Sequence, residues 1–470
     1  MIILQWSVLL LLSLEIRNVR SSYFNICLPF KSCEVSVDIK PQDEKAPDFN
    51  PLYLVGKSGS YELAIPRVTD NDDSTVVRVF FPNKKKLIYA CPKNIKTHLR
   101  DKVNPELSQQ KDITMPSKPE ELINEHCNQK VEPIVKTLKT LCSGSESSDD
   151  ADKFFLYEVG FKVFVRYDSK MSLIFKFITR SQDKEQRTVE TWHPLYKTCH
   201  NPKTRASLYT IHTLHGGSVG SKKPSFTGNF RDVSNIDGTE ETIDTKSISL
   251  DDIYTQTSVQ ELFGNMFDNR TKESKYANKD FLAKGHLVPD ADMAFIPWKY
   301  ATYLFLNAVP MWQYLNNSSW KSIETQIRKH VNQSNQKFTI YTGTHKILSY
   351  KGQSIFLGGE NSDILPVPLF LWKVVHDEQK NEAIAFIVVN DPYTTLEEKD
   401  FLCPPNDKGQ EICSEYKWYV YSNKQDDNNP SKRKIAHCCT VKELHEKVPH
   451  APDLSNAKIL QFDFKNVDKR

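Results

Sequence analysis

The chain has 470 residues, 39% hydrophobic and 26% charged, which is enough to bury a sizeable core and, at roughly 100–200 residues per domain, leaves room for two to four domains. This composition excludes wholesale disorder and carries no collagen-like or coiled-coil bias. With 62 Lys and Arg against 59 Asp and Glu the formal net charge is +3, so overall charge announces no polyanionic partner and any such partner has to be argued from local residues.

The first residues, Met1 to Val8 and a leucine-rich run to Leu14, form an apolar segment too short to cross about 30 Å of hydrocarbon. It reads as a signal peptide over residues 1–22, with Val19, Arg20 and Ser21 a tolerable cleavage site and a buried N-terminal helix as the alternative. No later stretch approaches a membrane span, so a secreted, extracellular protein is expected, with no membrane attachment in its mature form. Ten cysteines (Cys27, Cys33, Cys91, Cys127, Cys142, Cys199, Cys403, Cys413, Cys438 and Cys439) are an even count, which in an exported chain predicts disulfides of open connectivity. Cys403, Cys413, His437, Cys438 and Cys439 admit a zinc reading, disfavoured because no Cys-x-x-Cys pair exists and adjacent cysteines make poor tetrahedral ligands. Sequons at Asn269, Asn316, Asn317 and Asn332 fit a secretory route.

Further along, β-type runs at Tyr53–Val55, Thr75–Phe81 and Lys86–Cys91, separated by Asp, Asn, Pro and Gly clusters, predict a small β-rich domain over residues 23–142. Its basic stretch, Lys84, Lys85 and Lys86 with Lys93, Lys96 and Arg100, reads either as a phosphate contact or as solvated surface. Residues 143–152 are polar, acidic and poor in core formers, and read as a linker. Residues 153–470 then mix strand candidates (Phe161–Arg166, Leu173–Ile178, Phe338–Tyr341, Ala383–Val389) with one well-marked helix. That helix is expected to start near Asn317, Ser318 and Ser319 as caps, and to bury Trp320, Ile323, Ile327 and Val331 on one face. The mixture predicts an α+β fold.

The chemistry concentrates between Phe281 and Glu324. His286 stands beside Gly285 and Lys284, and Asn307, Asn316 and Glu324 follow. A histidine accepts a proton near neutral pH, a lysine meets a phosphate, and amide and carboxylate oxygens suit a hard divalent cation. These are the components of metal-assisted phosphodiester hydrolysis, although His286 also has a plainer reading as a hydrogen-bonded turn residue, and Asn307 and Asn316 as turn formers.

The run Ala283-Lys284-Gly285-His286-Leu287-Val288-Pro289 resembles the Asp-Arg-Gly-His-x-x-Pro signature of the DNA/RNA non-specific endonucleases of the ββα-metal class. Asn307, Asn316 nine residues on, Trp320 four further and Glu324 four beyond repeat that family's downstream spacing. Tyr341–Thr344, Val367–Val375 and Ile384–Asn390 look like its later strands. The cysteines and the β-rich N-terminal region are similar to the secreted double-stranded ribonuclease branch found in arthropods. The resemblance implies a ββα-metal endonuclease domain, with a central antiparallel sheet and a catalytic helix, over residues 153–470. It implies His286 as the general base, which must be neutral to act, Asn316 as the direct ligand of Mg²⁺ (Mn²⁺ being the alternative), and Glu324 holding a metal-bound water. Asn307 would support the geometry, and an upstream arginine, Arg231 or else Arg205, would meet the phosphate. Substrates would be DNA and RNA held through the phosphate backbone and cut to 5′ phosphates; oligomeric state stays open. Lys284 keeps the charge of the signature arginine without its planar fork, Ala283 removes a carboxylate, and Met311 replaces a common glutamine. These departures set beside the enzyme a second reading, a secreted nucleic-acid-binding protein, salivary for example, with weak or lost nuclease activity. Because Asn316 is also a sequon whose glycan would destroy the metal site, it is expected to be unmodified.

Overall fold

The computed structural model describes residues 32–39, 52–57, 60–70, 75–82, 86–90, 134–143, 153–168, 186–219, 228–232, 236–237, 253–254, 281–334, 336–350, 352–358, 365–391, 401–403 and 436–462. The expected signal peptide, the strand at Leu173–Ile178, the glycan acceptor Asn269 and most of the Lys84–Arg100 basic stretch lie outside these residues. Among the described residues no helix is long and apolar enough to cross a membrane.

One large sheet organises the chain. Its neighbours in space are Ile134–Leu141, Phe155–Asp168, Gln186–His200, Ser207–His215, Lys337–Ile347, Pro368–Asp377, Glu382–Val389 and Ala436–Cys439, every pair antiparallel. Pro368–Asp377 and Glu382–Val389 are buried almost from end to end. Their near-continuous apolar runs, in place of alternation, are what strands covered on both faces require. The α+β class read from the sequence is the class observed.

The strands expected from the sequence at 53–55, 75–81 and 86–91 appear as Leu52–Lys57, Thr75–Pro82 and Lys86–Ala90, in two three-stranded sheets. They do not stand apart from the large sheet. Leu52, Leu54, Tyr61 and Val79 share one core with Val135, Val159, Phe161 and Val163, and with Phe295 and Trp298 beyond the signature run. Described residues on either side of the boundary expected at residue 142 contact each other. Ile134–Leu141, ahead of the acidic stretch, pairs with Phe155–Asp168 beyond it, and Cys142 is disulfide-bonded to Cys199 across it. A polar, core-poor stretch can end a strand as readily as a domain, and composition alone does not distinguish the two.

Cys403 is joined to Cys439, and Cys438 is disulfide-bonded as well, in line with the disulfides preferred from the sequence over zinc: sulfurs spent in disulfides are not thiolate ligands.

The expected helix is present with a different start. Winding begins at Gln313–Leu315, widens into a π-turn over Asn316–Trp320 and continues as Lys321–Gln333. Ser318 therefore does not cap; its hydroxyl donates back to the Tyr314 carbonyl at 2.8 Å, the local bond serines form inside helices. Trp320, Ile323, Ile327 and Val331 are buried as the spacing predicts, each burial contributing about 1.5–3 kcal/mol.

At Gly343 the strand Lys337–Ile347 crosses the Trp372 indole and the Leu208 carbonyl so closely that an added Cβ would overlap both. We expect Gly343→Ala to destabilise the fold by about 1–3 kcal/mol through overpacking. Thermal unfolding checks this, and an unchanged midpoint would show that the strands have room to give.

Candidate active site

The signature residues form a short strand, Leu282–His286, antiparallel to Ala308–Trp312, with Lys284 opposite Pro310 and His286 opposite Ala308. Gly285 makes the pairing close: a Cβ there would lie 2.8 Å from the Met311 Cε and 2.9 Å from its Cβ, so the glycine is required by approach. The second strand runs directly into the helix at Gln313, whose N–H donates to the Phe281 carbonyl at 2.8 Å. Two strands and one helix thus form a single unit that carries His286 on its first strand and Asn316 and Glu324 on its helix.

Asn307, fully buried, closes this unit from behind. Its side-chain oxygen accepts from the Val288 N–H at 2.9 Å, and its amide nitrogen donates to the Val288 and Thr302 carbonyls, both at 2.9 Å. Its own carbonyl accepts from the Leu287 N–H at 3.0 Å. Asn307 therefore holds the backbone that follows His286.

His286 is half-buried, its ring 4.6 Å from Phe230 and 4.7 Å, edge to face, from Tyr303, so aromatic walls set its plane. The Lys284 ammonium sits 5.2 Å over the Phe305 ring and 5.8 Å over Tyr254, in cation–π range. Arg231 reaches this neighbourhood by another route. Its guanidinium donates to the Tyr300 and Tyr303 carbonyls at 3.1 and 3.2 Å and lies 3.5 Å over the Tyr300 ring, which gives it a backbone-holding task. Arg205, the alternative, is buried in a turn beside His200.

In a straight α-helix, residues eight apart diverge by about 80°. The π-turn between Asn316 and Trp320 winds fewer degrees per residue and swings Asn316 and Glu324 toward one line. The Asn316 amide nitrogen points at the Gln313 Oε1, 3.4 Å away, which leaves its oxygen as the lone-pair donor. Among the described residues no three His, Cys, Asp or Glu side chains gather into a metal cage. One amide oxygen with a nearby carboxylate is the sparse, oxygen-only donor set that suits Mg²⁺, an ion that keeps most of its waters, so the residues fit that ion.

Sequence reasoning missed the charges behind the site. Asp292 accepts from Arg328 and pairs with His212 Nε2, both at 2.9 Å. Burial opposes its ionisation, but the His212 hydrogen bond and the Arg328 charge outweigh that and hold it near 2. Lys373, 1% exposed, donates to Thr342 Oγ1 at 2.7 Å and to the Leu287 carbonyl at 3.3 Å. Glu324, half-buried, is pushed up to about 7 by desolvation, against the pull of Lys373 and Arg328. Two sequence signals pointed here: a lysine inside the apolar run Leu369–Val375, and an arginine one helical turn after Glu324.

Removing the Asn307 amide strands three buried backbone groups, so Asn307→Ala should cost about 3 kcal/mol, at roughly 1–3 kcal/mol for each unsatisfied group. Denaturant unfolding measures it, and a loss under about 1 kcal/mol would contradict the bonding described. Acid sensitivity has a definite sign. Asp292 contributes stability above the ordinary carboxylate range, and that contribution is lost as pH falls toward 2. His212, His200 and His437 are held neutral by burial, the last two pushed down to about 3; on unfolding each takes up a proton below about pH 6.5, so stability falls as pH drops through that value. The melting temperature should decline steadily from about pH 6.5 to pH 4; a midpoint unchanged down to pH 5 would count against buried neutral histidines.

A model of the DNA/RNA non-specific endonuclease family matches residues 176–444, more than half of the chain. The chain is 31% identical over 207 residues to a salivary endonuclease of Lutzomyia longipalpis (43% of this chain, 47% of that protein) and 30% identical over 176 residues to one of Culex quinquefasciatus (36% and 44%). It thus spans about half the length of these curated relatives. Salivary protein Tsal2A of Glossina morsitans morsitans aligns over 434 residues at 22% identity, covering 91% of this chain and 93% of that protein.

Proposed function

Because the chain belongs to the DNA/RNA non-specific endonuclease family, we propose that it is an exported, metal-dependent endonuclease that hydrolyses phosphodiester bonds of DNA and RNA, double-stranded forms included, to 5′ phosphates. The observation that supports this reading is the strand–strand–helix unit, whose first strand carries a half-buried histidine and whose helix carries an asparagine amide and a glutamate carboxyl. Disulfides and relatives named for saliva support export.

In this reading His286, oriented by Phe230 and Tyr303, takes a proton from the attacking water and must be neutral to do so. Mg²⁺, held by Asn316 with Mn²⁺ as a substitute, would supply charge stabilisation at the phosphate and an acidified water. Glu324 holds a water on the metal side by hydrogen bond. Lys284 supplies cationic charge to the phosphate, as a point charge and not as a bidentate fork. Arg231 is assigned to holding the Tyr300–Tyr303 backbone, and hence Tyr303 against His286. Contacts confined to the sugar-phosphate backbone leave base sequence unread.

A second reading rests on Ala283 and Lys284: a protein that grips nucleic acid while cutting it slowly. Digestion of plasmid DNA and of double-stranded RNA, with Mg²⁺ or with chelator, separates the two. Parent protein with Mg²⁺ should cut, while chelation or His286→Ala should lower the rate by about 10²-fold or more, as loss of a general base does. Salt-sensitive binding with no Mg²⁺-dependent cutting selects the binder, and equal rates for parent and His286→Ala remove His286 from the mechanism.

A further inference from the structure

Lys373 is a buried cation that the proposed reaction leaves without a task. It lies inside the strand Pro368–Asp377 with 1% of its surface exposed, so it touches no substrate. Its ammonium donates to Thr342 Oγ1 at 2.7 Å and to the Leu287 carbonyl at 3.3 Å, and stands 4.9 Å over the Trp320 ring. Leu287 is the residue after His286. Trp320 ends the π-turn that begins at Asn316. One ammonium therefore meets the backbone one residue beyond His286 on one side and the helix bearing Asn316 on the other. Burial pulls the Lys373 ammonium below the ordinary lysine range; Glu324, on that same helix, and Asp292 favour its charge, while Arg328 opposes it. Burying a carboxylate near this site is costly without such a counter-charge.

We propose that Lys373 is a positioning residue, which clamps the Leu287 carbonyl, one residue after His286, to the helix bearing Asn316 and Glu324 and sets positive charge on the Glu324 side of that helix. The functional half of this assignment rests on the endonuclease reading; the electrostatic coupling to Glu324 does not. The strand supplies the rigidity, because Val374 and Val375 beside Lys373 are fully buried and leave its stem little freedom.

Two double-mutant cycles on the full chain test it, built from Lys373→Met, Glu324→Gln and their combination. In thermal unfolding, Lys373→Met should lower the midpoint, and Glu324→Gln should recover part of that loss, because a neutral amide no longer needs the cation. In digestion of double-stranded RNA with Mg²⁺, Lys373→Met should lower kcat roughly tenfold with KM within about twofold, and should change little in the Glu324→Gln background. A residue with a merely structural role gives additive effects in both cycles, and that result overturns the proposal. Should Lys373→Met fail to fold, Thr342→Val removes one of the partners that hold the ammonium in place; kcat should then fall about threefold, and an unchanged kcat overturns the clamp. A parent chain that cuts neither nucleic acid overturns the endonuclease reading together with the functional half of the role, while the unfolding cycle still decides the electrostatic coupling.

Discussion

The Asn307 side chain is the interaction on which the site depends. A primary amide offers an acceptor and two donors in one plane, and here all three are used on backbone groups, two from Val288 and one from Thr302. The loop after His286 has no regular ladder to satisfy its polar groups. Buried and unpaired, they would cost more than the loop's packing returns. A carboxylate would present oxygen to carbonyl, and an apolar side chain would strand all three groups. With Asn307 in place, the direction of His286 follows from the strand behind it and the aromatic rings beside it.

Around this neutral lock lies a charged one. Asp292, Arg328, His212, Glu324 and Lys373 come from four separate parts of the chain and gather beneath the helix. Their signs nearly cancel, which is why so many ionisable groups tolerate burial together, and also why a net charge of +3 over 470 residues says nothing about them. Charge balance averaged over a chain is silent about charge balance within a few ångströms.

The register of the large sheet explains why some strands were legible and others were not. Pro368–Asp377 and Glu382–Val389 announce themselves as apolar β-branched runs. Gln186–His200, one of the longest strands described, does not. It carries charged residues and Pro194, and proline lacks the N–H that a ladder needs. The sheet accommodates it with a register shift at Val159 and Gly160 opposite, where an added Cβ on Gly160 would run into the Pro194 backbone. Which strand tolerates a proline depends on its partner, and no window of one strand contains that partner.

The sequence by itself pointed to candidate site residues that are close together in the chain. His286, Asn307, Asn316 and Glu324 lie within one strand–strand–helix unit, so their order and spacing are also their geometry, and the helical period named Trp320, Ile323, Ile327 and Val331 as core. Tertiary structure decided what reaches the site from a distance: Phe230 against the His286 ring, Arg231 turned to carbonyls, Lys373 beneath the Leu287 peptide, and N-terminal strands that share a core with the sheet. The physical reason is loop closure. A contact between residues tens of positions apart is selected by how whole strands pair and pack, and that information belongs to the sheet and to no single segment of it.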